Sequence, residues 1–393
     1  MGPVTDVSEF GLLFERDDEP PKARRSGRSS IADKHRSLST GPVRPLVSIL
    51  IPAFNSQEWI ADTIRSALNQ SWLNKEIVVV DDGSRDETLS IARQFASKTV
   101  SVLTQANQGS CAARNKAFEL CQGDYVQWLD ADDLLSRDKI GKQMEIVERY
   151  GSKRTLLSSA WGYFMYRPAK AKFIPTPLWC DLSPTEWLLR KMEKNLHMQT
   201  ATWLVSRELT QAAGPWNTQL LVNNDGEYFC RVLLGSDGVR FVPDARVFYR
   251  MPGFDRVSYI GQSERKMESL FLALELHIRY LHTLEDSDRV RTACVNLLQT
   301  WLSTFYPDRL DLVEKAEQLA ESLGGRLEVP GLSWKYAWIQ KSIGWPLAKR
   351  AQLVMRQAKW FTLRSWDKVL SRFDSRDLAA CVGLDNSSNA AGS

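Results

Sequence analysis

Three aspartates lie within four positions of one another, Asp130, Asp132 and Asp133, in the segment YVQWLDADDLL. Like charges this close repel one another unless a cation shares the site. Mg²⁺ and Mn²⁺ prefer oxygen ligands and are commonly held by one or two carboxylates beside substrate phosphates. In an extended strand, the side chains of alternate residues point the same way, which predicts that Asp130 and Asp132 lie on one side of the strand end. The segment therefore predicts a divalent metal site that handles a diphosphate.

A second acidic pair, Asp81 and Asp82, stands in VVVDDGSRDET, followed by a turn at Gly83 and Ser84. One carboxylate could accept a hydrogen bond from a base N–H, while the other serves the backbone or a ribose. The alternative is that Asp81 or Ser84 only caps a helix and forms a turn. The chain contains neither GxGxxG after the first strand nor GxxxxGK[ST], so two common phosphate-binding loops are excluded.

The elements around these clusters alternate between apolar runs and helical patterns. The run LVSILIPAFN predicts a buried strand and its turn, and the elements that follow are strands at 76–80, 100–103 and 125–129 and helices at 56–69, 86–96 and 110–120. This alternation predicts βαβ units and a mainly parallel sheet flanked by helices. Ligands of such sheets bind at the carboxyl ends of the strands. PAFN, DDGS and DADD all fall there, so we expect them to converge.

Composition narrows the class of protein. The 393 residues are 43% hydrophobic and 25% charged, with a net charge of +4 that is too balanced to indicate nucleic-acid binding. Six cysteines without a CxxC pair argue against a zinc cluster or a disulfide framework, and predict buried thiols in a reducing compartment. No apolar run is long enough to span a membrane, and no signal sequence is evident. We expect a cytoplasmic protein, in solution or at the inner face of the plasma membrane.

Two long segments carry a resemblance to a known family. VSILIPAFNSQEWIADTIRSALNQSWLNKEIVVVDDGSRDET and NQGSCAARNKAFELCQGDYVQWLDADD resemble the family 2 inverting glycosyltransferases, which have the GT-A fold, over residues 46–150. The resemblance implies transfer of a sugar from a nucleotide diphosphate, usually UDP, to a hydroxyl of a glycan or lipid-linked acceptor in surface polysaccharide synthesis. It also implies an Mg²⁺ or Mn²⁺ cofactor held by a DXD motif.

The predicted domains follow from this resemblance and from the pattern outside it. We expect an α/β GT-A domain with a C-terminal helical extension, divided as a disordered tail at 1–45, a GT-A domain at 46–260, a helical extension at 261–375 and a flexible tail at 376–393. Within the GT-A domain, residues 46–150 are the nucleotide-binding half and 151–260 the acceptor half.

The resemblance implies roles for residues that match its nucleotide motifs. Pro52, Phe54 and Asp82 contact the base, and Asp81 supports them. In NQGSCAARN, which lines the nucleotide and sugar, two further residues shape the loop, Asn107 and Gly109.

The remaining donor-site roles implied by the resemblance fall on four charged residues. Arg114 contacts the diphosphate or sugar, although a surface ion pair would explain it equally well. Asp132 is the principal metal ligand, with Asp133 in support and Asp130 near the ribose and sugar.

The catalytic base must be a carboxylate other than a metal ligand, because it removes the proton of the attacking hydroxyl. The family pattern of an acidic pair followed by Arg matches LLVNNDGEYFCRVLL, with Asp225 as the base and Arg231 as the later arginine. Asn224 replaces the commoner Glu. Glu227 is the second candidate base, and a third interpretation makes Asn223 a helix cap and both acids favourable first-turn residues.

A second departure from the family pattern lies in VFYRMPGFDRVSYIG. Met251 and Pro252 stand where many relatives have a metal-binding His, which leaves the third metal ligand open. Arg250 or Arg256 could neutralise the diphosphate directly. His197, in the acceptor half, is either a site residue or an ordinary packing residue.

Residues 347–373 contain seven Lys or Arg and one acid, Asp367, among four aromatic residues. Such a helix either lies on an anionic membrane surface or packs on the catalytic domain with a basic outer face. One alternative function is a catalytically silent module that binds a nucleotide sugar and recruits partners through its helical extension. A nucleotidyltransferase is less consistent, because PAFNSQEW has no glycine- and lysine-rich phosphate loop.

Overall fold

The computed structural model describes residues 44–251, 260–261, 263–330 and 345–373. The predicted tails therefore lie outside the described residues, apart from Arg44 and Pro45. Pro252 and Arg256 also lie outside them.

The first sheet has five strands. Its elements in chain order are β1 (Val47–Ala53), α1 (Ile60–Leu68), β2 (Lys75–Asp81), α2 (Thr88–Arg93), β3 (Val100–Thr104), α3 (Ser110–Leu120) and β4 (Tyr125–Trp128), with β8 (Val205–Ser206) joining from later in the chain. The strand order is β3-β2-β1-β4-β8, parallel throughout except for the antiparallel β4–β8 pair. All seven residues of β1 are buried, as a central parallel strand requires. The predicted, mainly parallel sheet is confirmed.

Element boundaries differ from prediction where side chains bind the backbone. Helix α3 has the predicted bounds, whereas α1 and α2 begin later. The backbone N–H of Ser56 donates to Oγ1 of Thr88 (2.6 Å), and the carboxylate of Asp86 accepts from the N–H of Thr88 (3.0 Å). Such bonds compete with helical ones, so both helices start beyond the polar residues of their loops.

A second sheet of four strands lies between the helices of the later chain. Its strands are β5 (Leu134–Leu135), β6 (Thr155–Phe164), β7 (Lys172–Phe173) and β9 (Gly238–Arg250), in the order β5-β9-β6-β7. β6 and β9 run parallel, and the register jumps from Val242 to Arg246. Pro243, which has no N–H to donate, falls within this bulge. The short strands predicted around RFVPDARVFYR are one strand of 13 residues.

The remaining helices pack around both sheets. They are α4 (Lys139–Tyr150), α5 (Pro184–Glu193), α6 (Arg207–Ala213), α7 (Asn224–Gly235), α8 (Glu264–Leu284), α9 (Asp288–Phe305), α10 (Leu310–Ser322) and α11 (Trp345–Ser371). The predicted helical pattern of residues 264–373 is confirmed over its described part. Helix α7 packs against α6 and α8, and α5 packs against α9. Leu270 and Leu298 belong to the same apolar core as Ile49 of β1, so the domain boundary at 260 stays a prediction.

Two further expectations concern cysteines and membrane spans. The five described cysteines are free thiols, and four of them are buried. Burial raises the pKa of Cys230 to about 12, so this thiol is inert at neutral pH. Within the described ranges, no helix combines the length and the apolar character that crossing a bilayer requires.

Candidate active site

Five carboxylates, which we call the strand-end cluster, lie at the carboxyl ends of β2 and β4. They are Asp81, Asp82, Asp130, Asp132 and Asp133. β1 runs parallel to both strands, with Ala53 opposite Asp81 and Leu50 opposite Trp128, so these ends meet at one edge of the first sheet.

The loop after β1 is tied to the loop after β2. Asn55 accepts a hydrogen bond from the N–H of Arg85 through its side-chain oxygen (2.9 Å), and its own N–H donates to Oγ of Ser84 (2.9 Å). Pro52 is buried within β1, whereas Phe54 is 41% exposed. The residue directly after β1 therefore exposes an aromatic ring at the sheet edge where β2 ends in Asp81.

Asp82 holds the loop that leads into α3. Its Oδ1 accepts from the N–H of Gln108 (3.0 Å) and the side-chain amide of Gln105 (2.8 Å), while Oδ2 accepts from the N–H of Gly109 (2.8 Å). Both oxygens are thus used inside the protein. Gly83 is necessary here, because at φ +70° its missing Cβ would lie 2.9 Å from the backbone nitrogen of Asn107. Asn107 itself is exposed on this loop.

Only one of the two carboxylate oxygens of Asp81 accepts hydrogen bonds from the described residues. Its Oδ2 accepts from the hydroxyl of Thr104 (3.0 Å) and from the N–H of Ser84 (3.3 Å). Its Oδ1 is buried and has no hydrogen-bond donor within the described part of the chain. A buried carboxylate oxygen without a donor is costly, so it is a candidate for a ligand N–H.

The DADD segment is a turn rather than an extended strand end. β4 ends at Trp128, and the N–H of Asp133 donates to the carbonyl of Asp130 (3.1 Å). The strand alternation used to place Asp130 and Asp132 on one side therefore does not apply. Both side chains are half-buried, whereas Asp133 is fully buried.

Asp133 faces the protein interior. Its Oδ1 accepts from the N–H of Arg250 (2.8 Å), and its Oδ2 accepts from the side-chain amide of Gln199. Burial, together with Asp132 and Asp130, raises the pKa of Asp133 well above its usual range. The contacts tie the turn to β9, which positions the other two aspartates.

Arg250 is held inside the protein as well. Its Nε donates to the carbonyl of Asp132 (2.8 Å), and its Nη1 donates to the carbonyl of Met165 (3.2 Å). The guanidinium lies between the rings of Trp59 (4.1 Å) and Phe164 (4.6 Å), and burial lowers its pKa. These contacts make Arg250 a support for the backbone of the DADD turn.

Arg114 links the strand-end cluster to helix α7. Its Nη2 lies 2.7 Å from Oδ1 of Asp130, and its Nη1 lies 3.5 Å from the side-chain oxygen of Asn224. The guanidinium stacks over Trp216 at 4.3 Å, and the other side of Trp216 stacks on Tyr228 of α7 (4.0 Å). Burial alone would lower the pKa of Arg114, but Asp130, Cys111 and Asp225 raise it above its ordinary value. The guanidinium is therefore a fixed cation at the junction.

Asp225 and Glu227, the two candidate bases, occupy the first turn of α7 in different surroundings. Glu227 is 1% exposed, and its carboxylate accepts from Arg231 (2.7 and 3.0 Å) and from the hydroxyl of Tyr280 (2.8 Å). Asp225 is half-buried, and none of the described residues donates a hydrogen bond to its carboxylate. Only Asp225 is open to an incoming hydroxyl.

The first turn of α7 packs closely against His277 of α8. Asn223 occupies the cap position at φ +53° without a side-chain cap bond. A Cβ on Gly226 would lie 2.3 Å from the side-chain oxygen of Asn223 and 3.1 Å from Nε2 of His277, so only glycine fits. His277 is buried, and burial with the nearby Lys191 lowers its pKa to about 3. It is therefore a neutral residue that packs against the turn carrying Asp225.

A small cavity opens beside Asp225. Lys191, His197 and Trp203 line it together with Asn223 and Asp225. The ring of His197 also contacts Trp161 (5.7 Å between centroids), so this residue both packs and borders the cavity.

A metal ion would find few ligands here without a substrate. No group of three or more His, Cys, Asp or Glu side chains that could hold a metal occurs in the portion of the chain that the structure describes. Asp133 is committed to protein donors, and Asp130 pairs with Arg114. Asp132 is a half-buried carboxylate on the same turn, and an oxygen ligand of this type suits Mg²⁺ or Mn²⁺ when phosphates supply further oxygens.

Several residues of this site carried no signal in the sequence. Trp216, Gln199 and His277 stand far from the motifs, in segments without a recognisable spacing. Their contacts with Arg114, Asp133 and Gly226 follow from the packing of distant elements.

The segment that contains the strand-end cluster resembles a known protein family. Residues 48–176 match the family described as glycosyl transferase family 2. The match shows that this part of the chain is similar to family 2 glycosyltransferases. The segment includes all of the strand-end cluster and Arg114, whereas Asp225 lies beyond it.

Curated relatives resemble the same part of the chain. An uncharacterized glycosyltransferase of Haemophilus influenzae is 41% identical over 106 residues, which are 26% of this chain and 42% of the relative. A putative teichuronic acid biosynthesis glycosyltransferase of Bacillus subtilis, TuaG, is 41% identical over 107 residues, with the same shares. Chondroitin synthase of Escherichia coli is 42% identical over 98 residues, which are 24% of this chain and 14% of that protein. The matched segment therefore spans less than half of these relatives.

A solved structure extends the likeness beyond the family 2 domain. The structure of S. aureus TarS in complex with UDP-GlcNAc is 18% identical, covers 70% of this chain and 81% of that chain, and has a TM-score of 0.56. At this identity the likeness concerns the fold alone. The predicted GT-A fold, with helices following it, is confirmed.

Proposed function

We propose that this protein is an inverting glycosyltransferase that moves a sugar from UDP to a hydroxyl group of an acceptor. The observation that supports it most is the position of Arg114, which contacts Asp130 of the strand-end cluster and Asn224 of α7. Asp130 belongs to the proposed donor site, and Asn224 stands next to the proposed base. The two halves of a transfer site are thus joined by one buried cation.

The donor base binds at the ends of β1 and β2 in this proposal. It stacks on the exposed ring of Phe54, and its imide N–H donates to Oδ1 of Asp81, the buried oxygen without a donor among the described residues. Asp82 supports the base site by holding residues 105–109. The proposal thus exchanges the roles that the resemblance implied for Asp81 and Asp82. TarS, whose structure contains UDP-GlcNAc, supports a UDP-sugar donor.

Asp132 is the proposed ligand of an Mg²⁺ or Mn²⁺ ion that the donor diphosphate shares. Such an ion neutralises the charge that develops on a leaving diphosphate. Asp130 lies near the sugar with Arg114, and Asp133 positions the turn instead of binding the metal. The roles of Asp130 and Asp133 follow from the contacts with Arg114, Arg250 and Gln199, and that of Asp132 from its place in the DADD motif.

The chemical step needs one proton acceptor. The carboxylate of Asp225 accepts a hydrogen bond from the acceptor hydroxyl and takes its proton as the oxygen forms a bond with the anomeric carbon. The bond from that carbon to the diphosphate oxygen breaks on the opposite face, and the diphosphate leaves with the electron pair. The product has inverted configuration, and the proton remains on Asp225.

The acceptor is proposed to be a glycan or a lipid-linked saccharide of a surface polysaccharide. The names of two relatives, which concern teichuronic acid and chondroitin, support this class. The reaction would take place in the cytoplasm.

Release of nucleoside diphosphate from a panel of sugar nucleotides in the presence of Mn²⁺ tests the proposal. We expect slow hydrolysis of one UDP-sugar, lost in Asp132→Asn. The matched control is Asp237→Asn, a surface carboxylate paired with Arg154 (3.1 Å) before β9, which should keep the wild-type rate. Binding of UDP without release from any donor, even with cell-extract acceptors, would instead favour the catalytically silent binding module.

A further inference from the structure

The outward side of helix α11 is unusually apolar. Six large apolar side chains of residues 354–373 are exposed, from 47% for Val369 to 82% for Phe373. We call them the outer face: Val354, Met355, Phe361, Trp366, Val369 and Phe373. Scattered exposed apolar residues are ordinary, but six large ones on one side of a single helix indicate an interaction surface.

The opposite side of α11 attaches the helix to the rest of the protein. Trp360 packs against the main core. Seven residues later and therefore on the same side, Asp367 accepts from the N–H of Tyr166 (2.9 Å) and from Nε of Arg167 (2.8 Å). Lys368 pairs with Glu58 at 2.8 Å. The helix is thus already docked without its outer face.

The charge of α11 favours an anionic partner. Residues 345–373 contain seven Lys or Arg, and their one acid, Asp367, is neutralised by Arg167. At 3.6 residues per turn, the exposed Lys359 borders the outer face on one side and the exposed Arg372 lies within it, whereas Lys368 on the other border is paired with Glu58. An apolar face flanked by lysine and arginine is the pattern of helices that lie in the headgroup region of anionic bilayers.

We infer that α11 docks the protein on an anionic lipid surface through its outer face. A second copy of this chain would bring two basic helices together, and their like charges would repel, whereas an anionic bilayer attracts them. Docking of this kind would bring the protein to a lipid-linked acceptor. Only this link to the acceptor rests on the proposed function.

The contacts of α11 also determine which part of the protein stays near the lipid. The ring of Tyr166, beside Asp367, packs at a tilt against that of Trp59 (5.3 Å between centroids), which follows β1. Trp59 contacts Arg250 (4.1 Å), and Arg250 donates to the carbonyl of Asp132. A continuous set of contacts therefore holds the strand-end cluster in a constant position relative to the bound membrane.

Co-sedimentation of the full chain with lipid vesicles tests this inference. We expect binding to vesicles of equimolar phosphatidylglycerol and phosphatidylcholine, weaker binding to phosphatidylcholine alone, and a loss of binding at high salt. The triple variant Phe361→Ser, Trp366→Ser and Phe373→Ser should weaken binding at least about tenfold, because it removes most of the aromatic area of the outer face.

The matched control changes three exposed apolar residues elsewhere, Leu73→Ser, Leu310→Ser and Val329→Ser. This variant should bind vesicles like the wild type. Wild-type protein that stays in the supernatant, or equal loss in both variants, would overturn the inference. So would a dimer in light scattering that the outer-face variant alone converts to a monomer. Vesicle binding needs no sugar nucleotide, so its outcome is independent of the proposed function.

Discussion

The strand-end cluster and the first turn of α7 hold their carboxylates in different ways. In the cluster, Asp82 and Asp133 accept hydrogen bonds at both oxygens, and Asp130 pairs with Arg114. On α7, the carboxylate of Glu227 likewise accepts hydrogen bonds from protein groups, those of Arg231 and Tyr280, whereas Asp225 receives none from the described residues. A buried charge is tolerated only when it is paired. The comparison indicates that paired acids build the site and the half-buried, open acid is left for substrate.

The largest effect is expected from Asp225→Asn, because the amide cannot take a proton. Transfer should fall about a thousandfold, within the range of general base catalysis, while UDP binding and thermal stability stay unchanged. Single-turnover transfer and calorimetric UDP binding measure the two parts. Full transfer by this variant would remove Asp225 from the proposal.

Glu227→Gln should act on stability instead. The change leaves the guanidinium of Arg231 without its buried counter-charge, which costs about 3 kcal/mol of unfolding free energy. Urea unfolding measures it. Glu119→Gln, which breaks the exposed pair with Lys116, is the matched control and should cost less than about 1 kcal/mol. An intact stability with abolished transfer would exchange the roles of Asp225 and Glu227.

His277 sharpens the comparison through pH. The pKa of His277 is lowered from 6.5 to about 3 in the folded protein. Below pH 6.5 the imidazole therefore binds a proton in the unfolded chain but not in the folded one, and the free energy of unfolding falls. The loss between pH 6.5 and 5 should be about 2 kcal/mol. His277→Phe should remove this part of the pH dependence, measured as the difference between the two urea-unfolding series. Parallel curves would show that His277 is not the group responsible.

The smallest effect separates Asp81 from Asp82. Asp81→Asn replaces the acceptor oxygen offered to the base and should weaken UDP binding about tenfold without disturbing the fold. Asp82→Asn should loosen residues 105–109, seen as faster amide exchange of Gln108 and Gly109 even without nucleotide. Equal affinity for UDP in wild type and Asp81→Asn would return the base contact to Asp82.

The elements were predictable where their signals are local. β1, β2, β3 and β4 followed from short apolar runs, and α3 was predicted at its observed bounds. The starts of α1 and α2 were missed, since Thr88 accepts from a residue 32 positions away. The alternation of strands and helices predicted the carboxylates at one sheet edge, because the carboxyl ends of parallel strands lie together.

The orientation of individual acids was not predictable. DADD forms a turn that buries Asp133 because Gln199 and the backbone of Arg250, both distant in sequence, supply its donors. The sequence of α11 likewise left two interpretations open. Trp360 and Asp367 supply the packing side, which leaves the outer face exposed.

The sequence by itself therefore determined the succession of strands along the chain, the resemblance to family 2 glycosyltransferases and the set of acids at the sheet edge, since these depend on neighbours along the chain and on short motifs. The tertiary structure alone decided which acids are paired, because each donor comes from an element far away in sequence. For Asp225 and Glu227, two positions apart in one helical turn, the deciding partners are Arg231 one turn later and Tyr280 on α8. Only the packing of α8 on α7 brings that hydroxyl within reach.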